Sequence, residues 1–480
     1  MLGKIIRHEA RILVRDRTLW ALAVFCALFV GYAVSNGASW SRAQRTAGER
    51  LAAKGWQQVE ELRRQLRESP GVTKSAGGRD PSDPYAVGTI AQSAFLPQGP
   101  LAGLAIGQSD VYPQNVRVVI YTTPQEAFDE GSFKSPLSMA LGRFDLAFVI
   151  VFLLPLLIIA LTYNLLSSER EQGTLRLLLS QPVRLREVVL GKILLRAIVI
   201  YGLILGFSLA AFSLAGFVSW GAGFDSQLWW MAVVIVYGTF WFSLGIAVSS
   251  LGLPSATNAV VLVSLWITLV VVIPTLVNLA ATIAFPAPPR TELINALRAS
   301  SYDIRRDSNR LLGFFYEDHP DMAPPGFRAG AAAPAFSFAK GLLIVGEKME
   351  EGARPVVSRF EKQLVSQQEL VSRLRFLTPA LVVQEALNDI AGTGVVRYQR
   401  FRVQVAGFQA AWKRFFTPRV FRDEHLRAGD YDLIPRFVFT EEPAGQTFAR
   451  VAAGLAGIVL PALVLAAAGL RRLGRYPVDG

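Results

Sequence analysis

The chain has 480 residues, 52% of them apolar and 18% charged, with a mean hydropathy of +0.35. That balance excludes intrinsic disorder, and the charged fraction falls below the roughly 25% usual for soluble domains. One cysteine, Cys26, and three separated histidines, His8, His319 and His425, exclude an intrachain disulfide framework and a Cys- or His-rich metal centre. The net charge of +12 fits nucleic acid or a membrane surface, so its placement along the chain decides between them.

The apolar residues concentrate in six runs long enough to approach or exceed the roughly 20 helical residues that cross a bilayer. Residues 1–18 form a basic leader ahead of the first run, Leu19–Val34. A cleaved signal peptide is the other reading of this start. Glu9 and Asp16 make the leader mixed in charge, and Ser35-Asn36-Gly37-Ala38 is a weak cleavage signal. A polar insert, Ser35–Arg143, follows. It contains an amphipathic helix, Gly55–Ser69, with Trp56, Val59, Leu62 and Leu66 at helical spacing. Behind it come the turn Pro81-Ser82-Asp83-Pro84 and a β-like run, Val116–Tyr121.

The remaining runs are Phe144–Leu166, Ile193–Val218, Leu228–Val248, Ala256–Phe285 and Val451–Leu470. In lipid each backbone group must be bonded within its own segment, so these are helices, kinked at Pro155, Pro274 and Pro461. The fifth is long enough to tilt or to extend past the bilayer. A second insert, Pro286–Ala449, separates it from the sixth. Here Arg354–Ile390 reads as helix with a break at Pro379, and Phe401, Val405, Phe408, Trp412 and Phe415 form an apolar helix stripe. His319–Pro334 is a Pro-, Gly- and Ala-rich loop. The expected fold is an all-α polytopic membrane protein: six transmembrane helices and a mostly helical extracytoplasmic domain built from the two inserts.

Short loops set orientation. With both ends inside, the inner set is residues 1–17, 167–192, 249–255 and 471–480. It holds thirteen Lys and Arg against six acids, while the short outer loop Ser219–Gln227 holds only Asp225. The positive charge is therefore topological, and no nucleic-acid partner is needed to explain it.

The inner segment Ser167–Lys192 has too many charges for a span and too many leucines for a linker. A helix from Thr174 places Leu175, Leu178 and Leu179 on one face, Pro182 ends it, and Glu169 and Glu171 precede it where a helix N-terminus favours acids. The string Glu169-Arg170-Glu171-x-Gly173-Thr174-Leu175-x-x-Leu178-Leu179-x-x-Pro182, followed by Gly191-Lys192, resembles the signature of type-2 ABC transporter permeases. The resemblance covers the membrane half of the chain. It implies that this loop is a cytoplasmic coupling helix contacted by a separate ATPase subunit. The ATPase-coupling residues would be Glu169, Glu171, Gly173, Thr174, Leu175, Leu178, Leu179, Pro182, Gly191 and Lys192.

The same resemblance makes residues 1–18 an elbow helix along the inner surface of a bacterial cytoplasmic membrane. It implies a second copy or a sister permease as partner, with lipid around both. ATP and magnesium would be bound by the ATPase and no cofactor by this chain. The large inserts are similar to a subfamily related to the permease of the nitrous-oxide reductase maturation system, so a periplasmic partner is a further expectation. A membrane scaffold or receptor outside the ABC class is the remaining alternative.

Catalytic patterns are wanting. Gly341–Lys348 has glycine spacing like a phosphate loop but Glu347 where lysine belongs, and no nucleophile elbow or His-Glu-x-x-His occurs. Glu441-Glu442 and Asp430-Tyr431-Asp432 read as solvated carboxylates, and His319 with Asp318 and Asp321 lacks a second ligand cluster. Arg143, Asp145 and Arg196 read as anchors at span ends; Asn164, Asn258 and Asn278 read as interhelical hydrogen bonders.

Overall fold

The computed structural model describes residues 9–11, 15, 17–68, 79–122, 144–175, 180, 184–215, 224–286, 308–323 and 337–475. Among these residues six helices are long and apolar enough to cross a membrane, and the protein is an all-α polytopic membrane protein. The helices carrying the spans are Arg17–Glu68, Leu146–Glu171, Leu185–Ala215, Phe224–Ser249, Ser255–Ala284 and Ala444–Arg472.

Span one differs most from expectation. It does not stop at Val34 but continues without a break to Glu68, absorbing the amphipathic segment expected as a separate helix. At a rise of 1.5 Å per residue its 52 residues reach about 78 Å, far more than a bilayer needs. Ser35–Ala38 thus lies inside a continuous helix. The protruding part is held by close approach. A Cβ on Gly37 would come within 1.6 Å of the Gly103 carbonyl oxygen, and one on Gly48 would enter the Phe95 ring.

The two inserts share one core at the same end of the bundle, called here the domain end. Helices α1 (Pro84–Gly88), α2 (Ser308–Asp318), α3 (Phe338–Leu374), α4 (Pro379–Ala391) and α5 (Val395–Phe421) lie outside the six spans. Strands β1 (Gln92–Phe95) and β2 (Asn115–Val118) pair antiparallel, Gln92 opposite Val118. Val59 and Leu62 of span one, Val116 and Val118 of β2, Phe315 of α2, Ile344 of α3 and the apolar face of α5 make a single cluster. Trp412 donates its indole N–H to the Gly88 carbonyl at 3.1 Å, and Tyr431 its hydroxyl to Pro81 at 2.7 Å, tying the second insert to the first.

Several local expectations change. The α5 stripe runs on past Phe415, which is half-buried against the core and under the Arg419 guanidinium, to the buried Phe416, Val420 and Phe421. The helix expected from Arg354 begins at Phe338 and carries Pro355 inside it. Gly341–Lys348 is accordingly helical and forms no loop. The expected break at Pro379 is real: Thr378 caps α4 and Pro379 opens it. Of the loop His319–Pro334 only His319–Ala323 falls within the described residues, and His319 stacks on Phe315 at 4.5 Å.

The carboxylate pairs lie at the surface, with Asp432 and Glu441 exposed as expected, and they also carry ion pairs and hydrogen bonds. Glu442 holds Arg450 through two contacts of 2.8 Å, Glu441 pairs with Arg397, Asp432 bonds Arg63 at 2.6 Å, and Asp430 accepts from the Arg427 N–H. Asp389, at the end of α4, sits 3.4 Å from Arg450. Burial pushes its carboxyl up to about 6, against the opposing pull of Arg450, with Glu385 and Glu442 adding to the rise.

The α3–α4 connection dips into the bundle. Gln367 of α3 bonds the carbonyl of Phe285, just past the domain-end terminus of span five. Eleven residues on, Thr378 reaches Leu269, sixteen residues and about 24 Å farther along that span. Phe376 packs on Gly457 of span six, Val382 on Gly454, and Asp389 returns to Arg450. The α4 side chains Val383, Leu387 and Ile390 belong to the same core as the spans. This re-entrant element has no counterpart in the six-run reading of the sequence.

Candidate functional site: the polar yoke between spans two, three and five

At the opposite end of the bundle span two passes through a turn at residues 163–166 and finishes in a short helix, Ser167–Glu171. The chain then turns through Gly173, whose φ of +71° is open to glycine at little cost. Thr174 closes the turn by donating its hydroxyl to the Glu169 carbonyl at 3.1 Å, and Leu175 is buried beneath it. Leu178, Leu179 and Pro182, with the remainder of the helix expected from Thr174, lie outside the described residues.

Glu169 and Glu171 were expected to sit at the N-terminus of that helix. They instead occupy a helix of their own and reach sideways to other spans. Glu169 accepts from the Lys192 ammonium at 2.6 Å. Lys192, 5% exposed inside span three, also reaches the Leu165 carbonyl at 3.3 Å and Glu9 of the N-terminal segment at 3.3 Å. One ammonium thus joins the leader, span two and span three. Among the described residues Glu169 Oε2 is buried with no hydrogen-bond partner, which leaves an already costly group short of a donor. Gly191 is buried beside Lys192 in the same helix.

Glu171 serves span five. Its Oε1 accepts from the Ser255 N–H at 2.7 Å and its Oε2 from the Ser255 hydroxyl at 3.0 Å. A carboxylate there satisfies the first turn of the helix and complements its dipole. Ser255 also bonds Ser167 at 2.7 Å, and Arg170 donates to the Gly252 carbonyl. A five-residue helix therefore grips span three through one acid and span five through another. The spacing of the two acids, i and i+2, hints at divergent directions, but nothing local in the sequence names Ser255 or Glu9 as partners.

The other polar span residues settle differently. Asp145 is no exposed anchor: it caps span two at Phe148 N–H (2.7 Å) and accepts from Ile106 N–H (2.7 Å). Arg196 donates to the Leu161 carbonyl of span two. Asn258 bonds Leu253 within its own segment rather than a neighbouring helix. Arg143 lies outside the described residues. Further interhelical bonds run from Tyr201 to Ile235 and from Tyr237 to Val151, both at 2.9 Å.

Six apolar helices, with a charged loop bound to the leader and to spans three and five, define a multi-pass membrane protein. The sequence profile described as ABC-2 family transporter protein matches residues 4–475, and the chain belongs to that family. It is the membrane permease component of an ABC transporter, a component that is in general non-catalytic and works with an ABC ATPase. No curated protein matches the chain.

Proposed function

We propose that this permease converts ATP hydrolysis on a separate ATPase into movement of its spans, and that the Glu169–Pro182 segment is where the ATPase grips. The observation that supports this reading is the double attachment of the Ser167–Glu171 helix, to span three by Glu169–Lys192 and to span five by Glu171–Ser255. A force on the loop displaces both spans together. Thr174 and Leu175 brace the turn, and Leu178, Leu179 and Pro182 supply the surface for the ATPase. Both termini and this loop face the cytoplasm of a bacterial inner membrane. Two permease subunits, identical or sister chains, dock two ATPases that bind the ATP and magnesium.

Glu171→Lys combined with Gly173→Pro tests the assignment in the purified complex. ATPase stimulation by the permease falls to the rate of the ATPase alone while membrane insertion is unchanged. Normal stimulation in that variant contradicts the reading.

A second reading is supported by the 52-residue helix of span one. A rigid rod running from the lipid into the domain-end core suits force delivery to a periplasmic partner, with or without translocation. This accords with the likeness of the inserts to the nitrous-oxide reductase maturation permease. ATP-dependent transport in proteoliposomes, compared with ATP-dependent capture of a periplasmic protein, separates the two.

A further inference from the structure

A proline inside a helix cannot donate to the carbonyl one turn earlier, and in a membrane that orphan must find another donor. Spans two and five each place a π-helical stretch just ahead of such a proline. In span five residues Ile267–Val272 are π-helical, and the Ile273 N–H bonds Thr268, five residues back. The next donor in that register would serve Leu269, but it is Pro274. The Leu269 carbonyl receives its hydrogen bond from the Thr378 hydroxyl, at the deepest point of the α3–α4 connection. In span two Val149–Leu153 is π-helical ahead of Pro155, where the same register would leave the Ile150 carbonyl without its donor, and the Tyr237 hydroxyl of span four bonds the adjacent Val151 carbonyl instead.

The two sites differ in what they join. Tyr237 links one span to another. Thr378, fully buried, links a span to the second insert, and the same hydroxyl accepts from the Ala380 N–H at 3.3 Å to cap α4. Phe376, two residues away, packs on Gly457, four residues before Pro461 of span six. The tip of the re-entrant connection therefore meets two proline sites at once. Span five is also the helix whose other end is held by Glu171.

We propose that the Thr378 hydroxyl is a positioning latch: it completes the hinge of span five at Leu269–Pro274 and makes that hinge and the re-entrant α4 move as one body. The transmission half of this statement rests on the proposed coupling at the loop end; the latch itself does not. A helix cap alone would make Thr378 equally important whatever residue occupies position 274. A latch on a proline-made orphan makes its importance conditional on Pro274.

Amide hydrogen exchange of the full-length chain in lipid nanodiscs distinguishes these. Thr378→Val raises exchange across residues 267–276 about ten-fold, the order expected when a buried carbonyl loses its donor. Thr378→Ser retains the wild-type rate. Pro274→Ala supplies the missing N–H, and adding Thr378→Val to it leaves span-five exchange within about two-fold of Pro274→Ala alone. Equal effects of Thr378→Val in both backgrounds, or no effect beside Pro274, overturn the latch. In the complex with its ATPase, an ATP-dependent change in α4 protection is lost in Thr378→Val and kept in Thr378→Ser. If the wild-type complex shows no ATP-dependent change, the coupling reading fails while the nanodisc result still decides the latch; if it does and Thr378→Val retains it, the transmission role is wrong.

Discussion

Lys192→Met removes the cation from a site holding two carboxylates and sharply lowers the thermal stability and folded yield of the purified chain. Lys192 and Glu9 are 5% and 8% exposed, and Glu169 already has one oxygen without a donor. Taking one partner from a buried ion pair typically costs about 3–5 kcal/mol, because the remaining charge is left uncompensated. The cost belongs to the stranded acids rather than to the absent lysine. The triple variant Glu9→Gln, Glu169→Gln, Lys192→Met therefore recovers most of the loss, since no buried charge remains. Thermal unfolding in matched detergent followed by light scattering reads both outcomes. A single variant as stable as wild type would falsify the buried triad.

Gly37→Val produces the second large effect. Its Cβ would fall 1.6 Å from the Gly103 carbonyl oxygen and 2.7 Å from the carbonyl carbon, and both are backbone that no rotamer change can move. Either the protruding half of span one or the Gly99–Gly107 loop must shift. That loop carries Ile106, whose N–H binds Asp145 at the start of span two, so the strain spreads to a second helix. Overpacking of this kind costs about 3 kcal/mol or more. Gly31→Val is the internal control: nothing lies within 4 Å of a Cβ there, and the same substitution six residues away on the same helix leaves stability unchanged. Comparable losses in the two variants would show that helix propensity, not the close approach, is responsible.

Much of the membrane half was legible because hydropathy is a sum over about twenty residues and needs no knowledge of partners. The inward stripe of α5 is legible for the same reason, although it runs on past Phe415 to Phe416, Val420 and Phe421. A rotation of about 100° per residue makes the end of a helical stripe its least certain point. In sequence span one ends early because Ser35–Lys54 is polar and looks like a boundary, whereas its burial comes from glycines that approach the Gly99–Gly107 loop and β1. The α3–α4 dip carries no span signal, since Pro379–Ala391 has thirteen residues and includes Gln384, Glu385 and Asp389, too short and too polar for a bilayer crossing. Thr378-Pro379 at its start and Gly392 at its end were local signals of a discrete helix. Nothing local placed that helix between spans five and six.

At the loop end the sequence singled out Glu169, Glu171 and Lys192 as important but assigned them outward, to a partner. In the structure Lys192 joins Glu169 and Glu9 within the chain, while Glu171 bonds Ser255 and stays exposed. A motif identifies which residues a loop needs without saying whether they make the contact or hold the contacting part in place. Here both acids hold the loop to neighbouring spans, Glu169 to span three and Glu171 to span five.

Sidedness is the claim on which the functional account turns, and thiol labelling of intact cells addresses it most directly. In a Cys26→Ala background, Gln172→Cys places one exposed thiol in the loop and Val438→Cys, at a residue 77% exposed, places one at the domain end. With a membrane-impermeant maleimide the account predicts that Val438→Cys reacts in intact cells while Gln172→Cys reacts only in inverted vesicles. Labelling of Gln172→Cys in intact cells would put the loop on the wrong side of the membrane for any cytoplasmic ATPase and contradict the account.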